Sequence, residues 1–328
     1  MPNELTELLE SVQALAGSGN AEALRAAVRD AHQCLVSQPA RFDVTIEFAL
    51  LAADADEHEI ARPLLEQARE PDRALSGVLR SAALVKLAAF SLRDRDERSA
   101  WRLCREGVRA SRGSSMTPET LHNAAVVALA CRRVRAARSW WAGSLASFRS
   151  AGDTYGQACS AHNLAVAEQD EGCLAEAESL YRESVAAWRS LGDRENLAES
   201  LQGLGEVLSA TRRHQESVTC FAEALEITVD TRLFSGIAES LEGVATGLVG
   251  LRRLEQAGYV LGVASRVREE RDCPLPQDHR HEVDELIERL KAKGGAEAEQ
   301  RLRKGAEDLP DDAIQVVLRE LMIGDVAR

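Results

Sequence analysis

The sequence predicts an all-α fold: a right-handed α-solenoid of about seven stacked helix pairs, closed by a C-terminal helical cap. Three observations predict it. The 328-residue chain repeats itself with a period of 40, its apolar residues recur at helical spacing, and aromatic residues make up only 4% of a chain that is 45% hydrophobic. This length exceeds a single hydrophobic core, and thin helical layers joined through Ala, Leu and Val suit the composition.

Internal repetition is clearest in the second half of the chain. A step of 40 links Leu121-His122-Asn123-Ala124, Ala161-His162-Asn163-Leu164, Leu201-Gln202-Gly203-Leu204 and Leu241-Glu242-Gly243-Val244. The same step links the small residues Ala137, Ala177, Ser217 and Ala257, and then the bulky residues Trp141, Tyr181, Phe221 and Leu261. A small residue followed four positions later by a large one predicts a second helix packed closely against the first.

Within each repeat the apolar spacing is that of helices. In the segment 174–188 the apolar stripe consists of Leu174, Ala177, Tyr181, Val185 and Trp188, which is the i, i+3, i+4, i+7 pattern of an amphipathic helix. Turn signals fall at Gly172 inside a pair and at the Gly-Asp steps 152–153 and 192–193 between pairs. Two helices per repeat are therefore predicted.

The repeats divide the chain into three predicted segments. Counted in steps of 40, the repeat windows run from 1–40 to 241–280. Residues 1–117 are divergent repeats, 118–280 are well-formed repeats, and 281–328 are capping helices near 282–293, 296–306 and 310–322. Solenoids need a polar cap over the last layer. The apolar cluster in the last of these segments suits either that cap or contact with a second subunit in a homodimer; it consists of Val316, Val317, Leu318, Leu321 and Met322.

Charge and composition narrow the class of partner and the compartment. A formal charge of −13 argues against direct nucleic-acid binding, which rests on clustered Lys and Arg. The N-terminus lacks the pattern of a secretory signal, and no stretch approaches the roughly 18 apolar residues of a membrane span. The seven scattered cysteines suit reduced thiols. We expect a cytoplasmic protein that does not bind membranes.

The small-then-large pattern, together with Leu-x-x-Leu-Gly at 201–205, resembles tetratricopeptide repeats. The 40-residue unit with its Gly-Asp turn is similar to the repeats of kinesin light chain and of bacterial peptide-sensing regulators. The segment from Tyr259 to Ile314 resembles the C-terminal region of bacterial ATPase-linked transcription regulators, although this chain has no phosphate-binding loop. The resemblance implies a non-catalytic adaptor or sensor that holds a protein or peptide segment in a concave groove. The alternative is a regulatory module of a bacterial transcription or signalling system that binds a small effector.

By the geometry of that family, the groove is lined by the first helix of each pair. The predicted partner-binding residues are His122, Asn123, Val126, Cys159, His162, Asn163, Val166, Glu199, Gln202, Glu206, Glu239 and Glu242. An Asn carboxamide both donates and accepts, and so matches an extended peptide backbone. The four glutamates favour a basic partner.

Each of these residues also has a structural interpretation. The asparagines can bond a neighbouring helix, and the glutamates can be a solvated face. We expect no metal at the histidines and Cys159, and no cofactor, because nothing local fixes ligand spacing. No catalytic motif is recognisable. We therefore predict that the protein is not an enzyme. Trp140 is the one aromatic residue with a predicted surface role.

Overall fold

The computed structural model describes residues 2–16, 20–37, 40–70, 75–111, 116–275 and 277–326, without the side chains of 2–6, 277–278 and 322–326. In these ranges all regular structure is helical, which confirms the predicted fold class. The helices are α1 (Pro2–Ala16), α2 (Ala21–Ser37), α3 (Phe42–Asp54), α4 (His58–Glu66), α5 (Gly77–Arg93), α6 (Glu97–Ala110), α7 (Pro118–Ala130), α8 (Val134–Ala151), α9 (Thr154–Asp170), α10 (Leu174–Leu191), α11 (Arg194–Ala210), α12 (His214–Thr231), α13 (Phe234–Gly250), α14 (Leu254–Glu270), α15 (Gln277–Glu307) and α16 (Pro310–Val326). A short 3₁₀ turn, Gln67–Arg69, follows α4. Over the described residues, none of these helices combines the length and the apolar content that a membrane span requires.

The helices form two compact units, Met1–Ala151 and Gly152–Arg328. In the first unit the pairs are α1/α2, α3/α4, α5/α6 and α7/α8, and the first helices α3, α5 and α7 also contact one another in order. Its core contains the fully buried Phe48, and Trp101 and Trp140 pack against its edge. These four pairs include the divergent predicted segment.

The second unit contains the pairs α9/α10, α11/α12 and α13/α14, followed by α15 and α16. Over the described residues the two units together contain seven helix pairs, as predicted. The predicted boundaries after residues 117 and 280 concern the regularity of the repeats, and they stay a prediction.

The turns recur at half the repeat length. From α7 to α15, each turn between helices contains a residue in the left-handed backbone region, and these residues are evenly spaced: Arg132, Gly152, Gly172, Gly192, Arg212, Arg232, Arg252 and Asp272. At most of these turns the following N–H bonds to the carbonyl five positions earlier, as from Cys173 to Glu168 and from Arg213 to Leu208. This is the Schellman motif, which satisfies the last carbonyls of a helix.

The Gly-Asp steps end one pair and begin the next, as the sequence predicts. Gly152 and Gly192 supply the left-handed residue. The Asp153 and Asp193 carboxylates then accept from the backbone N–H groups of Gly156 and Asn196, at 3.0 and 3.1 Å. Each Asp is thus the N-cap of the next first helix.

The small and bulky positions are buried as predicted. Ala137, Ala177 and Ala257 are fully buried, and Trp141, Tyr181, Phe221 and Leu261 are also buried. In the second unit the bulky rings lie on glycines of the next layer. A Cβ on Gly203 would overlap the Tyr181 ring, and one on Gly243 would overlap the Phe221 ring.

The C-terminal segments form a cap. Helix α15 contains a kink at Gly295, whose φ of 59° is non-helical, so the three predicted segments correspond to its two halves and α16. Ala298 of the second half packs directly on Gly258 of α14. Val317 and Leu318 are buried in the same core, whereas Val316 is 38% exposed. The Met322 side chain lies outside the described residues, and the homodimer stays a prediction.

Candidate functional site

The predicted site residues of the first unit lie on α7. Asn123 is exposed and Val126 is 43% exposed. His122 is half-buried, with its ring edge-on to Trp141 at 6.4 Å between centroids. Burial lowers the pKa of His122, so the imidazole is neutral at pH 7. This surface offers one exposed amide beside an exposed apolar side chain.

In the second unit, α9 carries the next four predicted residues. Cys159, His162, Asn163 and Val166 are all half-buried on this helix. Burial is the main cause that raises the pKa of the Cys159 thiol and lowers the pKa of the His162 imidazole. Cys159 is therefore a neutral thiol and His162 a neutral imidazole, and the thiol is not suited to nucleophilic attack at pH 7.

Two of the predicted residues make hydrogen bonds between layers. His162 Nδ1 lies 2.9 Å from Ser200 Oγ. One repeat later, Gln202 Nε2 donates to Ser240 Oγ at 2.9 Å and to the carbonyl of Gly236 at 3.0 Å. The sequence carries a signal of this polar ladder, because Ser160, Ser200 and Ser240 recur at the repeat period and are all fully buried. His162 and Gln202 therefore hold first helices together.

Glu242 forms an ion pair within the protein. Its carboxylate accepts two hydrogen bonds from Arg268, from Nε at 2.7 Å and from Nη2 at 2.8 Å. The Arg268 and Glu242 side chains are only 9% and 15% exposed, and Arg268 also donates to the Cys273 carbonyl. This bidentate pair neutralises one of the four predicted groove glutamates.

The other three glutamates remain on the first-helix surface, which is the exposed face of α9, α11 and α13. Glu199 and Glu206 are exposed on α11, two helical turns apart and so on one face, and Glu239 is half-buried on α13. Desolvation is the main cause that raises the pKa of Glu199, of Glu206 and of Glu239. Neighbouring protein atoms therefore lie close to each carboxyl group, although Glu199 and Glu206 still face solvent. We call the surface that carries these three glutamates the recess.

Residues that were not predicted from the sequence surround this recess. Gln169 Nε2 donates to Glu206 Oε2 at 2.8 Å, and this bond and the charge of His279 partly oppose the raised pKa of Glu206. The charges of Asp170 and Glu282 raise that pKa further. His279 and Glu282 lie one repeat length after Glu239 and Glu242, so the repeat step continues into α15 and was the available signal. The surface is a negatively charged recess built from α9, α11, α13 and the start of α15.

Trp140 does not form a separate aromatic surface. It is half-buried and stacks on Trp101 with 6.1 Å between ring centroids, and the Arg133 guanidinium lies over Trp101 at 5.6 Å from the ring centroid. The tryptophan pair belongs to the packing of the first unit.

One family model matches a part of the repeats. The family model described as tetratricopeptide repeat matches residues 156–228. No curated protein sequence matches the chain significantly. Segment 156–228 therefore consists of tetratricopeptide repeats, as the sequence predicts.

Solved structures share the fold. The apo form of RapI is 12% identical with a TM-score of 0.69, covering 92% of this chain and 85% of that one. NprR in complex with its cognate peptide NprX is 15% identical with a TM-score of 0.50, covering 91% and 85%. Repeats of a kinesin light chain from Podospora anserina are 17% identical with a TM-score of 0.53, covering 62% and 100%. These likenesses confirm a tetratricopeptide-type helical fold.

Proposed function

We propose that the chain is a non-catalytic peptide-binding protein that holds an extended, basic peptide segment along its first helices. The observation that carries the proposal is the negatively charged recess of the second unit. Among the described residues, no Lys or Arg lies within ion-pair distance of Glu199, Glu206 or Glu239. Arg268 forms its ion pair with Glu242, and its charge only lowers the pKa of Glu239 from a greater distance. A Lys or Arg side chain that binds at the recess would attract these carboxylates, which lack a cationic partner in the described part of the chain.

The polar ladder supports a fixed rather than an adaptable surface. Because His162 and Gln202 bond between layers, the helices that carry the glutamates are held in register before a partner binds. Preorganisation of this kind reduces the entropic cost of binding. NprR, which shares the fold, was solved with a peptide, and this supports a peptide as the class of partner.

Asn163, half-buried on α9 beside the recess, is the proposed contact to the peptide backbone. A carboxamide recognises the C=O and N–H of any residue. Sequence preference would then come from the glutamates. Asn123 holds the equivalent repeat position on the first unit, and we propose the same role for its exposed amide on that unit.

Titration of an immobilised library of Lys- and Arg-rich peptides tests the proposal. We expect binding to weaken by at least about tenfold, which is ~1.4 kcal/mol, in the variant Glu206→Gln/Glu239→Gln. Glu226→Gln, a half-buried glutamate on α12, is the matched control and should bind as the wild type does. Equal binding by all three proteins would remove the recess from the site.

The variants Asn163→Ala and Asn123→Ala test the backbone contacts separately. We expect each to lose affinity for all peptides alike, with its circular dichroism spectrum and melting temperature unchanged. Unchanged affinity in either variant would exclude that amide as a peptide contact, while the role of the glutamates depends on its own test.

A further inference from the structure

The second unit carries a basic surface distinct from the acidic recess. It consists of Arg212, Arg252, Arg253 and Lys293, and we call it the basic edge. Arg212, Arg252 and Lys293 are exposed and Arg253 is half-buried. None of the four makes an ion pair with another described residue, although the chain carries a net charge of −13. Within the described ranges these four cations lack an acidic partner, although acidic residues outnumber basic ones in the chain.

Packing between successive layers places these residues side by side. The turns at 211–213 and 251–253 both join the first helix of a pair to the second, so they lie at the same end of the helices. The His214 ring, next to the first turn, packs on Gly250, next to the second. Leu254 in turn packs on Gly294, with its Cβ 3.2 Å from where a Cβ of Gly294 would be. Three neighbouring layers therefore contribute to one edge.

A comparison of equivalent positions shows why Arg253 is unpaired. Arg213 binds Glu178 at 2.6 Å and also pairs with Glu216. One repeat later, Arg253 has Val218 and Gln256 at the positions of those two acids. The repeat thus keeps the arginine and lacks its intramolecular partners. Arg213 is thus neutralised by two glutamates, whereas Arg253 at the equivalent position stays unpaired among the described residues.

We propose that the basic edge docks an Asp- or Glu-rich segment of a partner protein. Guanidinium groups bind carboxylates in bidentate geometry, and several in a row match an acidic segment of about four residues. Nucleic acid fits less well, because four cations neutralise few phosphates and the net negative charge repels a long polyanion. The second unit would then present two surfaces of opposite charge preference.

Binding of a fluorescent peptide of eight glutamates, measured by anisotropy with the full chain at about 50 mM and about 300 mM salt, tests this proposal. We expect saturable binding that weakens at the higher salt concentration. Arg252→Glu should reduce affinity at low salt by at least about fivefold, and Arg212→Glu/Arg252→Glu should abolish it.

Arg232→Glu is the matched control. Arg232 has nearly the same left-handed backbone, with φ of 58° against 61° at Arg252, and it is also exposed, but its turn lies at the opposite end of the helices. It should leave affinity within about twofold of wild type. Equal losses in Arg232→Glu and Arg252→Glu, no binding by the wild type, or tighter binding of a short DNA duplex would each overturn the proposal. A result on this edge is separable from the recess, because the two probes carry opposite charges.

Discussion

Both units are stacks of helix pairs, but their turns are spaced with different regularity. In the second unit the left-handed turn residues follow one another at a constant half-repeat spacing from Gly152 to Asp272, whereas those described in the first unit, Asp56, Arg95 and Arg132, are unevenly spaced. Longer connections also separate α4 from α5 and α6 from α7. A constant turn geometry keeps each layer in register with the next. In this regular unit, the polar ladder of His162, Gln202 and the buried serines forms hydrogen bonds between layers.

The largest expected contrast concerns ion pairs. Arg268 of the second unit is 9% exposed and holds Glu242 in a bidentate pair, whereas Arg69 and Glu66 of the first unit are each 44% exposed. Arg268→Ala should destabilise the protein by about 3 kcal/mol, because it leaves a half-buried carboxylate unpaired. Arg69→Ala should cost less than about 1 kcal/mol. Urea unfolding measures both, and equal losses would contradict the contrast.

The next contrast concerns glycines between layers. Gly243 lies under the Phe221 ring of the second unit, and an added Cβ would overlap it, whereas a Cβ on Gly107 of the first unit would lie 3.1 Å from its nearest neighbours. We expect Gly243→Ala to cost about 2 kcal/mol through overpacking and Gly107→Ala to cost less than half of that. Thermal unfolding followed by circular dichroism checks the pair. A neutral Gly243→Ala would mean that the layers separate easily.

Substitutions in the turns should change the free energy of unfolding by less. Gly192 has φ of 72° and open space where an added methyl group would lie, whereas Arg212 already adopts φ of 63° with a side chain. Gly192→Ala should cost about 1 kcal/mol from backbone strain alone. Arg212→Ala replaces one L residue by another and should change the free energy of unfolding by less than about 0.5 kcal/mol. A larger loss in Arg212→Ala would show that its side chain stabilises the fold.

The smallest effect is the pH dependence of the recess. Desolvation raises the pKa of Glu206 in the folded protein, so the folded state binds a proton more readily than the unfolded state does. The stabilisation from this proton is complete below the unfolded pKa of about 4.3 and is lost as pH rises through the folded value. Glu206→Gln should therefore raise the melting temperature slightly at pH 7 and have less effect near pH 4. A difference that grows toward acid pH would contradict the assigned direction.

Much of the fold followed from the repeat step. It predicted the helix pairs, the buried bulky positions Trp141, Tyr181, Phe221 and Leu261, and the Gly-Asp boundaries, because each depends on one local position that recurs. The predicted windows fall late, since the boundary at residue 160 lies inside α9, which begins at Thr154. Helix starts depend on caps such as Asp153, which the apolar period does not show.

The helix that carries each candidate residue was predictable from the sequence, whereas the contacts of its side chain were not. The step located Glu199, Glu206 and Glu239 on first helices. It could not reveal that Glu242 is bound by Arg268, since the two lie on different helices and the pairing depends on how α13 and α14 cross. The roles of His162 and Gln202 in binding serines of the next layer were missed for the same reason. The continuation of the step to His279 and Glu282 was present in the sequence, and the prolines Pro274 and Pro276 obscured it.

Photo-crosslinking with a bound peptide tests the central claim most directly. A Lys- and Arg-rich peptide selected for binding, carrying a photoreactive group at its centre, should crosslink to first helices of the second unit, near Glu199, Glu206 and Glu239. Mass spectrometry of the digested adducts locates the crosslinks. Adducts confined to the second helices α10, α12 and α14 would contradict the account.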